Sequence, residues 1–457
     1  MAAALASTNM DDAVSAEAAV AACAAAFEGW SQTSPQDRVS VLENAALSLD
    51  SRRADLRQIA EAELGASASW IDFNVDIACD MLRLACPLAH DVGEIETRRD
   101  RKGVEHHVRR DPVGVVLGIA PWNAPVTLAV RAVAAPLACG NTVVLKASEL
   151  CPQTHALVVE ALQDAGLPDG ALEAVLTRPE ETEAAVRTLI ADPSVRRISF
   201  TGSTRVGRKV AGIAAEHVKP CLLELSGNAP LIVLDDADLD RAADAAAFSA
   251  FFNQGQICMS TERIIVTEPV ADAFVVKLVE RTRSLTERHE RGDSAWLGRL
   301  IDANAALRLT GLIDDARTWG AKLLIGGQSD GTWMAPAVID RVSSAMRIYH
   351  EEIFGPIAAV LRVADEDEAI AIANDSELGL SAAVFSRDGA RAARVAQQLE
   401  TGMCHINGPT VHDDASMPFG GMKASGYGRF GGKAALDEFT ELRWIADHSK
   451  VELSLGI

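Results

Sequence analysis

Hydrophobic side chains recur at helical spacing through the first hundred residues of the chain. They return every three or four positions in segments 37–56 and 71–88, which predicts an amphipathic helix in each. Ser34 followed by Pro35 is typical of a helix start, with Ser34 as the N-cap and Pro35 at the first helical position. We therefore expect residues 15–95 to be entirely helical.

From residue 113 onward, short apolar runs alternate with helical patterns. Strands are predicted at residues 113–119, 143–146, 172–176, 197–200, 264–266 and 358–361, and helices at residues 154–165, 202–216 and 239–252. This rhythm is typical of a parallel sheet with crossover helices. The predicted fold class is therefore α/β, with a dinucleotide-binding type of domain in the first half of the chain.

Residues 103–110 alternate like a strand but carry polar side chains on both faces. Such a strand is not expected in the main core, and its exposed edge would need a partner strand. His106 and His107 are adjacent, so they point to opposite faces of this strand. That placement argues against a shared metal ion.

Composition narrows the class of protein. The chain has 457 residues, enough for more than one domain, and 43 basic against 64 acidic side chains give a net charge of −21. Nucleic acid and anionic membranes would repel such a protein, so neither is an expected partner. We expect no signal peptide and no membrane span. Eight scattered cysteines without zinc-ligand spacing favour the reducing cytoplasm and no metal site.

One cysteine stands where reactive cysteines often do. Cys258 follows the predicted helix 239–252, after Gly255 breaks it. Glu224 ends a predicted strand, and Asn123 follows the strand that ends near Ile119. Loops at strand and helix ends are where α/β proteins build their sites, so we expect these three side chains to converge. On local sequence alone, Cys258 could equally be a small buried hydrophobe.

Together with segments 200–204, 352–356 and 418–421, these motifs resemble the aldehyde dehydrogenase superfamily from about residue 27 to residue 444. Segments 118–125 and 405–411 look most like its bacterial salicylaldehyde and vanillin dehydrogenase branch. The resemblance implies a variant Rossmann NAD-binding domain (1–96 and 113–227), a catalytic α/β domain (228–425) and a small β oligomerisation element (97–112 and 440–457). It also implies a homodimer or homotetramer.

The resemblance assigns chemical roles to the three converging residues. Cys258 would be the nucleophile that forms a hemithioacetal and then a thioester. Asn123, with the backbone N–H of Cys258, would stabilise the oxyanion, and Glu224 would be the general base for hydrolysis. Some relatives carry a lysine and a glutamate behind the base, where this chain has Ala132 and Phe430. Proton release is therefore expected to follow another route.

The resemblance further implies a nicotinamide cofactor. The turn that begins at Gly202 departs from the usual dinucleotide fingerprint, but it still offers backbone N–H groups at a helix start. The expected cofactor residues are Ile119, Ala120, Pro121, Trp122, Lys146, Ser148, Glu149, Gly202, Ser203, Glu224, Leu225, Glu352 and Phe354. The Glu149 carboxylate should repel a 2′-phosphate, which favours NAD, with NADP possible. Alternatively, Lys146 and Glu149 form a solvated pair, and Phe354 packs in the core.

A substrate tunnel is expected beside the cysteine. Its residues would be Trp70, Ala124, Leu128, Arg131, Phe252, Ile257, Met259, Phe419 and Tyr427. Small Ala124 would widen the tunnel, Trp70, Phe252 and Phe419 would sandwich a ring, and Arg131 would bind a ring substituent. The substrate is thus predicted to be an aromatic aldehyde, oxidised to its acid. Trp70 as a core aromatic and Arg131 as a structural ion pair are the alternatives.

Three other functions remain open at this point. The chain could be a general or aliphatic aldehyde dehydrogenase, an enzyme that transfers the acyl group to coenzyme A, or a non-catalytic protein with the same fold. Glu224 argues against coenzyme A, because a positioned base favours water. The complete set of Cys258, Glu224 and Asn123 argues against loss of activity.

Overall fold

The computed structural model of the protein describes residues 14–292 and 296–450. The N-terminal helices are α1 (Ala16–Gln32), α2 (Pro35–Ser51), α3 (Arg53–Leu64) and α4 (Ala68–Ala85), followed by a 3₁₀ helix, Cys86–Asp91. Ser34 caps α2 as predicted, because its hydroxyl accepts the N–H of Asp37. The predicted helix over residues 37–56 is wrong in length, since the backbone leaves helical geometry at Arg52 while the apolar spacing continues.

The first sheet is built from strands in the first half of the chain, and it confirms the predicted alternation. Residues 93–224 form β1 (Gly93–Arg99), β2 (Glu105–Pro112), β3 (Val115–Ile119), α5 (Pro125–Ala138), β4 (Thr142–Lys146), α6 (Pro152–Gln163), β5 (Leu172–Val175), α7 (Thr182–Ala191), β6 (Val195–Thr201), α8 (Thr204–Glu216) and β7 (Cys221–Glu224). Strands β3 to β7 pair in parallel, in the order β7-β6-β3-β4-β5.

The second sheet follows in the rest of the chain. Its region contains β8 (Ala229–Val233), α9 (Leu239–Phe251), β9 (Thr261–Thr267), α10 (Glu268–Glu290), α11 (Ala303–Thr318), β10 (Lys322–Ile325), β11 (Ser329–Asp330), β12 (Trp333–Met334), β13 (Ala337–Asp340), α12 (Arg347–His350), β14 (Ile357–Val363), α13 (Glu366–Asn374), β15 (Leu378–Gly379), β16 (Ser381–Phe385), α14 (Gly389–Ala396), β17 (Met403–Ile406), β18 (Met422–Lys423), β19 (Gly426–Tyr427), α15 (Gly432–Glu438) and β20 (Thr440–Asp447). The sheet order is β10-β13-β14-β9-β8-β16-β17, and β10 alone of these runs antiparallel to its neighbour.

The two sheets place the carboxyl ends of their central strands where a site can form. Every residue of β3, β4, β7, β8 and β9 is buried, as expected for parallel strands covered by helices on both faces. Strand β19 returns to the first sheet and pairs Gly426 with Glu224. The fold class is therefore α/β, as predicted, with mixed sheets at their edges.

A separate three-stranded sheet corrects two predictions. Its order is β1-β2-β20, all antiparallel. Strand β1 begins at Gly93, so the expectation of helix up to residue 95 is wrong; its polar sequence gave no strand signal. Strand β2 lies in the middle, so within the described chain the free edges belong to β1 and β20. Residues 1–13 and 451–457 lie outside the described structure. They include the N-terminal residues for which we expected no signal peptide, and the two ends of the predicted domains.

Within residues 14–292 and 296–450, no helix has both the length and the apolar character that crossing a membrane requires.

Candidate active site

Cys258 lies just after a strained turn between α9 and β9. The turn Phe252–Gly255 places Asn253 and Gln254 at φ of 51° and 56°. Such left-handed backbone is costly for residues other than glycine, and it persists where the surroundings enforce it. Gly255 is required here, because a Cβ atom would lie 2.3 Å from the carbonyl oxygen of Gly355. The structure therefore holds the cysteine in a fixed turn.

Glu224 is the last residue of β7 and is brought to Cys258 by the loop that follows. Gly227 in that loop packs directly on the cysteine backbone, since a Cβ atom there would lie 2.1 Å from the Cys258 carbonyl oxygen. Only a residue without a side chain permits this approach. The strand-end glutamate and the cysteine thus meet as the sequence predicted.

Asn123 completes the group and is fixed by three hydrogen bonds. Its side-chain N–H donates to the Gln256 carbonyl oxygen at 3.1 Å. The backbone carbonyl oxygen of Asn123 accepts the indole N–H of Trp70 at 2.8 Å and the side-chain N–H of Asn253 at 3.2 Å. The Asn123 amide is thereby oriented next to the cysteine turn.

One cleft of about 380 Å³ collects these side chains. Its lining residues are Pro121, Trp122, Asn123, Thr201, Gly202, Ser203, Glu224, Leu225, Ser226, Cys258, Arg308, Glu352 and Phe354. Thr201 and Ser226 were not predicted, although they belong to motifs that the sequence analysis used. Arg308 was also missed, since nothing in the pattern of α11 marks it.

Burial dominates the electrostatics of the reactive pair. It raises the pKa of Glu224 to about 7, against the opposing influence of Arg131 and of the neighbouring Cys258 thiol. Burial and the nearby Glu224 carboxylate hold the pKa of the Cys258 thiol well above its usual value. Neither carboxylate oxygen of Glu224 has a hydrogen-bond partner among the described residues. A carboxylate in this state is suited to accept a proton.

Two further carboxylates, the half-buried Glu352 and the buried Glu262, shape the loop after α12. Glu352 accepts the backbone N–H of Gly227 at 3.0 Å, and Glu262 on β9 accepts the backbone N–H of Phe354 at 2.7 Å. Phe354 has a φ of 44° and packs edge-on against Trp122 at 5.9 Å. Burial, followed by the proximity of Glu352, raises the pKa of Glu262 to about 8. Glu262 was not predicted, because a lone acidic residue on a strand gives no distinctive signal.

A second cleft of about 550 Å³ adjoins the first and shares Pro121, Trp122 and residues 201–203 with it. The Lys146 ammonium donates to Glu149 at 2.6 Å, and the Thr182 hydroxyl also donates to Glu149. Lys146 is buried, which excludes the alternative of a solvated pair. Every residue predicted to bind the cofactor lines one of the two clefts. Thr182, Lys209 and Arg205 line the second cleft as well and were not predicted.

Most of the residues predicted to bind substrate lie in one hydrophobic cluster. It contains Trp70, Ala124, Leu128, Phe252, Ile257, Met259 and Phe419, all buried. Trp70 and Phe252 contact each other edge-on, with ring centroids 5.1 Å apart, so no ring fits between them. Phe73, Phe248 and Trp296 extend this aromatic group and were missed. A substrate ring therefore cannot lie between Trp70 and Phe252, because the two rings fill each other's space, whereas a ring held between Phe252 and Phe419 stays a prediction.

Arg131 and Tyr427 lie in other settings than predicted. Arg131 forms a buried ion pair with Asp413, the alternative that the sequence analysis left open. Tyr427 lies on β19 opposite Leu223, is about half exposed (52%) and lines neither cleft. Asp413 was missed, because it is 282 positions away from its partner.

Among the residues that the structure describes, no group of three or more His, Cys, Asp or Glu side chains is arranged to hold a metal ion.

Comparison with known proteins gives consistent matches. A family model described as "Aldehyde dehydrogenase family" matches residues 2–445. Vanillin dehydrogenase of Pseudomonas fluorescens is 54% identical over 430 residues, which are 94% of this chain and 89% of that protein. Salicylaldehyde dehydrogenase of Pseudomonas putida is 47% identical over 422 residues, 92% of this chain and 87% of that protein. The crystal structure of a salicylaldehyde dehydrogenase from Pseudomonas putida G7 complexed with salicylaldehyde matches with a TM-score of 0.92 and 46% identity, covering 96% of this chain and 90% of that one.

Proposed function

The chain belongs to the aldehyde dehydrogenase family, as the motifs indicated, and on this premise we propose that it oxidises an aromatic aldehyde to the carboxylic acid with NAD. An NAD(P)-dependent aldehyde dehydrogenase is what the family match and the similar enzymes support. The observation that carries the proposed mechanism is the convergence of Cys258, Glu224 and Asn123 in one cleft that opens into a second.

The second cleft has the size and the donor set for a dinucleotide. Lys146 and Glu149 present an ammonium and a carboxylate that suit ribose hydroxyls. Helix α8 begins at Thr204 with Ser203 as its N-cap, and the N-terminal end of a helix favours phosphate. When bound, the nicotinamide would supply a hydride acceptor. Glu352 and Phe354 would hold it at the end of the cleft near Cys258.

Cys258 attacks first in the proposed reaction. The Glu224 carboxylate takes the thiol proton, the sulfur adds to the aldehyde carbon, and the C=O electron pair moves onto oxygen. The Asn123 amide N–H and the backbone N–H of Cys258 donate to this oxyanion. One such donor typically contributes about 100- to 1000-fold in rate. Collapse of the oxyanion expels hydride and leaves an acyl thioester on Cys258.

Glu224 acts again in hydrolysis, after it has released the thiol proton to solvent. The regenerated carboxylate accepts a proton from water as the water oxygen adds to the thioester carbonyl. The thiolate then leaves, and the carboxylic acid is released. A pKa near 7 lets Glu224 exist as a carboxylate at neutral pH and still be basic enough to activate water. This role for Glu224 favours water over coenzyme A as the acyl acceptor.

Two lines support an aromatic substrate. The similar enzymes include two vanillin dehydrogenases and a salicylaldehyde dehydrogenase, at 47–54% identity. The cluster behind Asn123 is apolar and aromatic, and it includes the small side chain of Ala124. Flat, hydrophobic walls of this kind bind rings by stacking and edge contacts. We infer a salicylaldehyde- or vanillin-like compound.

The test measures the rate at which the nicotinamide cofactor is reduced. The substrates are salicylaldehyde, vanillin, benzaldehyde and hexanal, each with NAD and with NADP. Ring aldehydes with NAD should be oxidised fastest, and Cys258→Ala should abolish turnover because the nucleophile is lost. Faster oxidation of hexanal would favour an aliphatic aldehyde dehydrogenase. Dependence on coenzyme A would favour acyl transfer, and absence of all turnover would favour a non-catalytic protein.

Glu224→Gln should slow both steps assigned to this carboxylate, the deprotonation of Cys258 and the hydrolysis of the thioester. The amide cannot accept a proton, so we expect thioester hydrolysis to slow by about 100-fold or more and to lose its rise with pH through about 7. Rapid mixing would detect any first turnover of nicotinamide reduction before the slow phase. The matched control is Glu216→Gln, an exposed carboxylate at the end of α8. An unchanged pH profile in Glu224→Gln would refute the assignment of Glu224 as the general base.

Glu149→Gln should relax the preference for NAD. Loss of the carboxylate removes the repulsion of a 2′-phosphate, so the ratio of kcat/KM for NADP over NAD should rise by about tenfold or more. Glu181→Gln, on an exposed loop nearby, should leave the ratio unchanged. If the ratio is the same in both variants, Glu149 does not discriminate between NAD and NADP at the ribose.

We also infer a homo-oligomer that forms through the sheet β1-β2-β20. Leu442 and Trp444 are exposed on one face of β20, at 62% and 68%. Leu442→Glu with Trp444→Glu should shift sedimentation to the monomer, as should removal of residues after Arg443. Trp319→Glu changes an exposed tryptophan elsewhere and should not shift it. Sedimentation that stays the same in the double variant would place the interface elsewhere.

A further inference from the structure

The loop from Glu352 to Phe354 forms one wall of the active cleft. Glu352 and Phe354 line the same cleft as Cys258. Phe354 has a φ of 44°, in the left-handed region that bulky side chains rarely adopt. Such backbone persists only where the surrounding structure enforces it. The contacts that enforce it therefore decide the shape of this wall.

Glu262 makes one of these contacts from β9. Its side-chain oxygen Oε1 accepts the backbone N–H of Phe354 at 2.7 Å. Glu262 is 3% exposed and belongs to the strand that follows the turn of Cys258. Strand β9 pairs in parallel with β14, the strand that follows the loop. One segment of the chain therefore presents the thiol and holds a wall of its cleft.

Arg308 on α11 holds the same loop by its carbonyl groups. The guanidinium donates to the carbonyl oxygen of Glu352 at 3.2 Å and to that of Ile353. Backbone polar groups away from solvent need such partners, because an unpaired group loses its hydration without compensation. Residues 351–356 belong to no helix or strand. The loop is thus fixed by side chains from two other elements.

Glu262 is costly to bury, since its hydrogen bond satisfies only part of the carboxyl group. Oε2 is buried and has no hydrogen-bond partner among the described residues. Burial, followed by the proximity of Glu352, raises the pKa of Glu262 to about 8, so the neutral carboxyl predominates at pH 7. In that form its carbonyl oxygen still accepts the Phe354 N–H. An apolar side chain would serve packing better, so the hydrogen bond is the feature that calls for a carboxyl group here.

We propose that Glu262 is a positioning residue of the active site, which fixes the backbone of Phe354 and so holds residues 352–354 as the wall that receives the nicotinamide ring. The proposal rests on the function proposed above, because it takes the nicotinamide as the group that lies against this wall. Glu262 lines neither cleft, so it acts through Phe354.

The test compares three variants of the full-length protein. Glu262→Met has a side chain of similar length but only a weak acceptor for the Phe354 N–H. Glu262→Gln keeps the carbonyl oxygen and resembles the neutral carboxyl, so it should rescue the contact. Thr267→Val is the matched control, because it removes one hydrogen bond, to the Val233 carbonyl, from the far end of the same buried strand. Glu262→Ala replaces the methionine variant if that protein does not fold.

The first measurement is hydrogen exchange of the amides in residues 350–357, followed by mass spectrometry without any ligand. Loss of the hydrogen bond should speed exchange of this segment by about fivefold in Glu262→Met. Glu262→Gln and Thr267→Val should exchange like the wild type. Unchanged exchange in Glu262→Met would show that the loop does not depend on Glu262, and would overturn the proposal.

The second measurement compares the calorimetric Kd of NAD with that of ADP-ribose, which is NAD without the nicotinamide. A loop that spends less time in the receptive conformation should raise the Kd of NAD by about fivefold in Glu262→Met. The Kd of ADP-ribose should stay unchanged, because that compound does not need the wall. Glu262→Gln should restore the Kd of NAD.

The outcomes separate the two proposals. Equal loss of affinity for NAD and ADP-ribose would indicate a merely structural role for Glu262, and failure of Glu262→Gln to restore NAD binding would exclude the hydrogen bond as the cause. Either result overturns the role of Glu262 even if aldehyde turnover is normal in the wild type. A loss confined to NAD, in a protein whose wild type oxidises no aldehyde, would support the role of Glu262 and sink the proposed function instead.

Discussion

The close packing of Gly227 on the carbonyl oxygen of Cys258 is the constraint on which the site depends. Gly227 follows β7 of the first sheet, and Cys258 precedes β9, a central strand of the second, so this contact joins the two halves of the cleft. A side chain at Gly227 would push the loops apart, and Glu224 would then lose its place beside the thiol. The same loop donates an N–H to Glu352, so one backbone contact also orders the opposite wall.

Burial raises the pKa values of the carboxyl groups in this arrangement. Glu224 and Glu262 are buried and Glu352 is half-buried at the wall of the cleft, and desolvation raises the pKa of each. Carboxylates placed in this way destabilise the fold at high pH, because the folded state keeps protons that the unfolded chain releases. For Glu224 this loss would develop between its ordinary pKa and about 7. A basic carboxylate beside the thiol is what the proposed chemistry requires.

The sequence predicted the elements that local rules control. Cys258, Glu224 and Asn123 each follow a strand or helix end, and the geometry of parallel sheets brings such ends together. It did not predict partners that only the tertiary structure creates: the Trp70 indole on the Asn123 carbonyl, Arg308 in the cleft, and Asp413 beside Arg131. Strand β1 was missed for another reason, since a polar strand at the surface carries no periodic hydrophobic signal.

On the proposed function, recognition of an aromatic ring would come mainly from shape. The Arg131 guanidinium already contacts Asp413 and Phe419, so a ring hydroxyl would have to compete with a buried carboxylate for it. Of its nitrogens, Nε has no partner among the described residues. The apolar cluster around Ala124 and Phe252 would require no such exchange, since contact with a ring there breaks no ion pair. The proposed choice of an aromatic aldehyde would therefore depend more on that cluster than on Arg131.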